Sequence, residues 1–577
     1  MELNKNLQIL AQKMMAYAVS QMYPGALIAQ DQLIEDGFRY AFYVPNEVIS
    51  SNDFNRIKAQ MKRLYDSNPK ITYTVKSLAE LNEVFKNNKF KLAAIHNAKQ
   101  EQFDVIIINN FIDLCPNLGI DRLPKVDWLE LVNVSGIYFQ GNANEQQLVA
   151  IDGWIVDNQV DHDNFKAYLQ DKLERDHRKI GAELELFTFD DSVGKGLPIW
   201  LENGANVKFM LEDYCRELLL RNEFHFVQTP ILGTVDLYKT SGHWDHYREN
   251  MFPVLAFDDE AYVIKPMNCP HHIRVFQHKS HSYKELPYRI AEFGIQHRYE
   301  SSGSLTGLER VRQMQLVDTH TILMHSQIKS EIKRFFNIIL EAHKTLGTEL
   351  YSIDLSLHDP NDKEKFFDNP EMWKNAENQL RSALKALKVP FKEVVGEAAF
   401  YGPKIDMQMK TATGHIVTIS TIQLDFLLPE RFNLEYIDDQ GKKARPVFIH
   451  AGIIGTFERY MAILLEQTKG VLPSWLSPIQ VMLMTVNNEK HYKFAKRMQL
   501  KLLKLGIRAR LDDSDNRISK KIRDAQIHKI PYQIVIGDNE LNSKDIVYRE
   551  YGKNEEVKIP LTKFISLLKK KIKNRIK

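Results

Sequence analysis

Residues 288–320, YRIAEFGIQHRYESSGSLTGLERVRQMQLVDTH, constrain this chain more than any other segment. Two strand-like runs flank a Ser/Gly-rich stretch. The pattern predicts a hairpin with a first strand over 290–300, a loop over 301–307 and a second strand over about 310–320. Side chains alternate faces along a strand, so Arg310, Arg312, Met314, Leu316, Asp318 and His320 are expected on one face, and Arg298 and Glu300 together on the first strand. Such a surface would carry guanidinium groups at one end and a carboxylate and an imidazole at the other. A hairpin with one solvated charged face gives the same pattern, so the rest of the sequence has to separate the two readings.

A chain of 577 residues can hold three or four domains. Its 77 Lys and Arg against 74 Asp and Glu leave a net charge of +3, so any polyanion site has to be a local patch. Three scattered cysteines, Cys115, Cys215 and Cys269, are too few for a disulfide framework and suit a reducing compartment. The N-terminus lacks a signal-peptide pattern, and no run of 18 apolar residues exists. A soluble cytoplasmic protein without a membrane partner is expected.

Residues 1–160 read as an α+β module: helices over 7–22 and 53–67, strands over 38–44, 105–108 and 136–140. The module holds no dense cluster of catalytic groups, and Cys115 has no base near it in sequence. The mixed-charge segment 164–184 reads as an amphipathic linker helix, with the linker as a whole spanning 161–184. The large block 185–475 carries most of the chemistry. Over 476–577 strands and helices alternate, from the apolar run IQVMLMTV onward, which predicts a small α/β domain on a parallel or mixed sheet. It ends in a basic tail, KKKIKNRIK.

Cys269, His320 and His450 come from three separate segments, and spacing alone cannot join them. If they converge, one Cys and two His form a zinc set with its fourth position open, as in a working site rather than a structural one. His271 and His272 compete for the ligand role. Phosphate chemistry is the second theme. The chain has neither a GxxxxGK[ST] loop nor a GxGxxG fingerprint, so side chains have to meet phosphates. Arg298 and Arg310 are expected to project from the paired strands of the hairpin, and Arg459 stands in an apolar helix where burial demands an anionic partner.

HRYESSGSLTGLERVR resembles motif 2 of the class II aminoacyl-tRNA synthetases, HAGIIGTFERYMAIL resembles motif 3, and VQTPILGTVDLYKTSGHWDHYRENMF resembles motif 1 and its continuation, with Pro230 as the motif 1 proline. RDHRKIG, TSGHWDHY, IKPMNCP, AFYGPKID and TIQLDF are similar to segments of the threonyl-tRNA synthetases within that class. The resemblance implies an α+β fold: an antiparallel active-site sheet with helices, an α/β anticodon-binding domain after it and an editing-like domain before it. It implies threonine activation by ATP and transfer to tRNA(Thr), in a homodimer built on motif 1. Cys269, His320 and His450 match the zinc ligands, and zinc is expected to bind the threonine amino and hydroxyl groups. Asp318 matches the acceptor of that hydroxyl. Arg298, Arg310 and Arg459 match phosphate-binding arginines, and Glu300 the acid that reads adenine. Tyr401, Gln423, Met267 and Lys404 match positions lining the amino-acid and ATP sites, Mg²⁺ is expected with ATP, and His243 matches a histidine near the tRNA acceptor end. Glu540 and Arg549 fit anticodon-reading positions.

The sequence also departs from the family. Met314 replaces an aromatic that stacks on adenine, Leu316 replaces an amide in the threonine pocket, and His271 replaces glycine. YAVSQMYPGALIAQDQLIEDGFRY resembles the start of the editing domain that hydrolyses Ser-tRNA(Thr), yet Lys13 and Tyr17 stand where the family has an HxxxH, and Gly119 follows Cys115 where a histidine belongs. The expectation is an editing fold without its chemistry, and no preceding ubiquitin-like domain. The rival reading, a non-catalytic RNA-binding relative, requires erosion of the arginine or metal set, and both match in sequence.

Overall fold

The hairpin forms, but its strands sit further from the loop than the sequence pattern suggests. In the computed structural model, which describes residues 3–45, 47–141, 145–412 and 414–575, they run Tyr288–His297 and Gln313–Leu323, paired from Tyr288 opposite Ile322 to His297 opposite Gln313. Arg298, Glu300, Arg310 and Arg312 therefore leave the sheet and stand in the loop. The physical reason is local: the Arg312 N–H turns to the carbonyl of Gly196, and Gly307 takes a left-handed φ of 46°. Alternation holds where the strand is real, so Met314, Leu316, Asp318 and His320 do share a face.

The chain divides into two compact units, Met1–Asp171 and Lys172–Lys577. In the first, the helix Lys5–Met22 buries Leu10, Met14 and Val19 against an antiparallel sheet of Leu27–Ile34, Gly37–Tyr43, Gln147–Ile155 and Leu129–Tyr138. A second, three-stranded sheet is formed by Ile71–Ser77, Gln102–Ile108 and Phe111–Leu114. The linker segment is two helices, Gln159–Arg175 and His177–Glu183. Asp176 ends the continuity because its carboxylate accepts from the Arg178 N–H at 2.8 Å and caps the second helix.

The second unit is built on an eight-stranded sheet: β1 His225–Phe226, β2 Tyr288–His297, β3 Gln313–Leu323, β4 Ser352–Leu357, β5 Lys392–Val395, β6 Lys404–Lys410, β7 Ile416–Asp425 and β8 Val447–Thr456. Its spatial order is β1-β2-β3-β8-β7-β6-β4-β5, with parallel pairing at the two edges and antiparallel pairing between. One face packs Ala291, Val317, Ile449, Ala451 and Ile453 into a core with the helices Glu202–Leu220, Ile328–Leu346 and Phe457–Thr468. The other face is left for polar chemistry. Towards the C-terminus a five-stranded mixed sheet has a parallel half (Ala509–Asp512, Val481–Thr485, Tyr532–Ile536) and an antiparallel half (Asp545–Glu550, Glu556–Pro560). The last of these strands has no clear signature in the sequence. The basic tail is helical to Lys573, and Ile576 and Lys577 lie outside the described residues.

Candidate active site

Register alone assembles one row of polar side chains. His320 on β3 faces His450 on β8, His450 faces Gln423 on β7, and Gln423 faces Lys404 on β6. The next row runs Glu292, Asp318, Gly452, Thr421, Asp406. A Cβ added to Gly452 would meet nothing nearer than the Thr421 methyl at 3.7 Å, so the floor between Asp318 and Thr421 is open.

Cys269 reaches this floor from the start of the helix Cys269–Gln277, and the ligand atoms of Cys269, His320 and His450 lie within 4.8 Å of one another, all buried. The far nitrogen of each imidazole is committed. His450 Nε2 donates to Asp425 Oδ2 at 2.8 Å. Glu292 accepts from His272 Nε2 at 2.9 Å, and His272 Nδ1 then accepts from His320 Nδ1 at 2.7 Å. These partners fix the tautomers and turn the lone pairs of His320 Nε2 and His450 Nδ1 towards each other, 3.0 Å apart. Two facing lone pairs repel unless a cation lies with them. Burial drives His320 well below the usual imidazole range and the Cys269 thiol well above its own, so the histidine stays neutral and only a nearby cation would favour the thiolate. The donor set therefore fits a thiophilic divalent metal. His272 serves as a link between Glu292 and His320, and His271 turns away to Tyr238, whose hydroxyl lies 3.1 Å from its Nε2.

Asp318 is buried, its carboxyl pushed up by that burial, and one of its oxygens accepts from Asn268 Nδ2 at 2.8 Å. The Tyr401 hydroxyl donates to Gln423 Oε1 at 2.5 Å and its ring stacks on His450, centroids 4.7 Å apart. Lys404 pairs with Asp406 at 3.1 Å. Met267 packs beside the helix that carries Cys269. His243 is fully buried, with Nδ1 on Ser241 and Nε2 unpartnered; burial, helped by His450 and Arg431, lowers it to about 3.

The arginines gather at the other end. Burial, reinforced by Arg298 and Arg310, lowers Arg459 from its usual value, while Glu309 and Glu300 act the other way, so all these charges share one neighbourhood. The anionic partner expected for Arg459 is not what holds it: its Nε donates to the Glu309 carbonyl at 3.0 Å and its Nη1 to the Thr418 carbonyl at 3.2 Å. Arg298 Nε is buried and unpartnered. Met314, the apolar replacement, is buried on β3. The loop holding these groups is pinned by His177, which accepts from the Leu308 N–H at 3.1 Å and donates to Glu466 at 2.6 Å. A Cβ at Gly307 would lie 2.3 Å from that imidazole.

Several residues that build the site were not singled out by sequence: Asn268, Glu292, Asp425, His177 and Glu458. Glu458 accepts from the Gln315 N–H at 2.9 Å where β8 bulges between Gly452 and Thr456, and so replaces a missing ladder bond. Glu540 and Arg549 are not brought together. Arg549 pairs with Gln533 near the start of the strand Tyr532–Ile536, and Glu540 lies beyond its end.

Comparison with known proteins decides the family. A threonine–tRNA ligase from Ureaplasma parvum serovar 3 is 46% identical over 566 residues, covering 98% of both chains. The chain belongs to the threonine–tRNA ligase family. A Staphylococcus aureus threonine–tRNA ligase is 45% identical over 558 residues, covering 96% of this chain and 86% of that one. Residues 252–468 match the tRNA synthetase class II core domain (G, H, P, S and T), and 480–571 the anticodon binding domain. Among solved structures, the RNA binding domain of threonyl-tRNA synthetase from Cryptosporidium parvum Iowa II superposes with a TM-score of 0.65 at 38% identity, covering 68% of this chain and 98% of that one. The putative threonyl-tRNA synthetase of Aeropyrum pernix superposes with a TM-score of 0.61 at 26% identity, covering 69% and 97%. As a member of this family, the protein is a class II aminoacyl-tRNA ligase that acts on threonine, ATP and tRNA. No described helix is long and apolar enough to cross a membrane.

Proposed function

We propose that the protein activates threonine on the open face of its central sheet and does so without editing Ser-tRNA(Thr). Cys269, His320 and His450 would hold one zinc ion, which when bound supplies a Lewis acid for the substrate's amino and hydroxyl groups. Asp318 accepts from the hydroxyl, and Tyr401, Gln423 and Met267 close the pocket around it. Valine would leave Asp318 unanswered, whereas serine differs from threonine by one methyl, worth about 1–3 kcal/mol.

In the adenylation step the threonine carboxylate attacks the α-phosphorus of ATP and pyrophosphate leaves. Arg298 and Arg459 stand on the phosphates with Arg310 on the same side, Lys404 adds positive charge, and Mg²⁺ would accompany ATP. Their chemistry is electrostatic: fixed cations in a sheltered site where charge develops. The Arg298 Nε that lacks a partner is a donor ready for such an oxygen. Glu300 and Met314 would hold the adenine, His243 the acceptor end of tRNA(Thr), and Glu540 and Arg549 the anticodon loop at separate points.

We assign residues 1–160 to an editing-like domain, 161–184 to a linker, 185–475 to the catalytic domain and 476–577 to the anticodon domain. Lys13, in the place of an HxxxH histidine, is bonded to Asp113 and Asp31 rather than free for hydrolysis. A homodimer built on motif 1 is supported by the adjacent exposed Ile231 and Leu232 in that segment. Cytoplasmic residence is supported by three cysteines that are all free thiols.

The convergence of the three metal donors beside Asp318 carries this reading. Its test is amino-acid-dependent ATP–pyrophosphate exchange, with zinc-replete and chelated protein. Zinc-dependent exchange is expected with threonine, weaker exchange with serine and negligible exchange with valine. Absence of exchange with zinc bound would sink the reading. Deacylation of Ser-tRNA(Thr) well above the buffer rate would sink the editing part.

A further inference from the structure

Asn268 sits at the N-cap of the helix Cys269–Gln277, a position where asparagine ordinarily turns its side-chain oxygen back onto the first backbone N–H groups. Here it makes no such bond, and its backbone is already helical at φ −85°, ψ −21°. Its Nδ2 donates instead to Asp318 Oδ2 at 2.8 Å. The carboxylate can only accept, so it fixes the amide's orientation and leaves Asn268 Oδ1 as the remaining acceptor. That oxygen is buried in a side chain of 0% exposure and has no hydrogen-bond partner.

The amide is also held in place sterically. Gly294 on β2 lies directly beneath it: a Cβ there would be 2.0 Å from Nδ2 and 2.6 Å from Oδ1. The carboxamide therefore lies flat against a backbone that only glycine leaves bare. A buried acceptor without a donor is unfavourable, and this one sits beside the carboxylate that borders the open floor at Gly452.

We infer that Asn268 is a specificity-determining residue for the amino acid. Its Nδ2 holds one oxygen of Asp318 so that the other faces the substrate hydroxyl, and its Oδ1 accepts from an N–H of the substrate's amino group. The inference rests on the reading of this face as the threonine site. It makes the residue before a metal ligand the link between that helix and the hydroxyl-sensing strand, so metal and carboxylate stand at a set separation.

The test uses the full-length zinc-loaded protein and two variants, Asn268→Ala and Gly294→Ala. The second leaves Asn268 in the chain and displaces its amide by a methyl. In ATP–pyrophosphate exchange both are expected to raise KM for threonine about ten- to a hundred-fold, the range for losing a hydrogen bond to a charged group. The threonine-to-valine ratio should fall at least about tenfold. The threonine-to-serine ratio should stay within about twofold, because both carry the hydroxyl and the amino group. KM for ATP and zinc content per chain should match the parent, and both variants should stay folded well above the assay temperature, with a modest fall in melting temperature from the lost bond to Asp318.

Unchanged KM and unchanged threonine-to-valine ratio in Asn268→Ala would overturn the inference. So would loss of zinc or unfolding at the assay temperature accounting for the defect, since Asn268 would then be a structural support for the helix. If the parent itself shows no threonine-dependent exchange, the reading of the site has failed rather than the role of Asn268.

Discussion

His320 and His450 face each other across neighbouring antiparallel strands, ring nitrogens 3.0 Å apart, each with its other nitrogen tied down behind it. Asp425 restrains one ring directly; Glu292 restrains the other through His272. The pair is thus set in advance for a cation, with Cys269 as third donor. Metal analysis of the purified protein should find one zinc per chain, and His450→Ala should lose it. Asp425→Asn should retain the ligand set but weaken zinc binding about 10- to 100-fold, the usual effect of removing a carboxylate behind a ligating imidazole. Competition with a chromogenic chelator reads this without any assay of catalysis.

Arg459 is oriented by two backbone carbonyls, those of Glu309 and Thr418, which leaves the guanidinium charge uncompensated by direct ion pairing in those bonds. A fixed positive group of that kind stabilises charge developing in the reaction rather than the resting substrate. Arg459→Ala should lower the exchange rate about 10²–10³-fold, equivalent to about 2.7–4 kcal/mol. Zinc content should be unchanged, and threonine binding without ATP should be nearly so. A loss expressed only in KM for threonine would place Arg459 elsewhere.

Glu458 gives the catalytic unit a pH signature. Burial raises its carboxyl to about 7, against the opposing pull of the Gln315 N–H. The unfolded chain releases this proton near pH 4.5, so between there and about 7 the folded state binds more protons and stability falls as pH rises. Above about 7 both states are ionised and the loss levels off. The total is about 3 kcal/mol at most for a shift of that size. Glu458→Gln keeps an acceptor for Gln315 and removes the titration. Its melting temperature relative to the parent should rise from pH 5 to pH 7.5 and then stay flat. A constant offset across that range would remove Glu458 as the cause.

Much of this site could be read in the sequence because short motifs carry it. Alternation on β3 put Asp318 and His320 on one face, and resemblance joined Cys269 and His450 to them. Alternation failed at Arg298, Glu300 and Arg310, because strand pairing stops at His297 and Gln313 and the chain turns to meet Gly196 and His177. Those contacts span more than a hundred residues, and no local pattern announces them. The same holds for the supporting layer. Asp425, Glu292 and Asn268 look like ordinary polar residues until the fold sets them behind His450, His272 and Asp318. The bulge on β8 was equally silent, since its consequence, Glu458 bonding Gln315, depends on a register set by two distant strands.

The N-terminal unit offers the sharpest separation of stability from catalysis. Lys13 and Lys91 are buried, and both bond Asp113, at 2.7 Å and 2.5 Å, while the Tyr40 hydroxyl donates to the same carboxylate at 2.6 Å. Burial would push Asp113 up, but the two ammonium groups outweigh it and keep the carboxylate ionised. Lys13 thus serves as a counter-ion where hydrolysis would need a free base. Removing one member of a buried ion cluster leaves uncompensated charge, so Lys13→Met should destabilise this unit by about 3–5 kcal/mol. Limited proteolysis should show earlier cleavage within residues 1–171, while threonine-dependent exchange stays at the parent level. Neither protein should deacylate Ser-tRNA(Thr). Restoring histidine at 13 and 17 should not recover hydrolysis either, because the first imidazole would enter a site arranged around an ammonium, with Asp31 and Asp113 both drawn towards it. Measurable deacylation by the double variant with its fold intact would show that the ion cluster is no barrier, and that the missing histidines alone account for the loss.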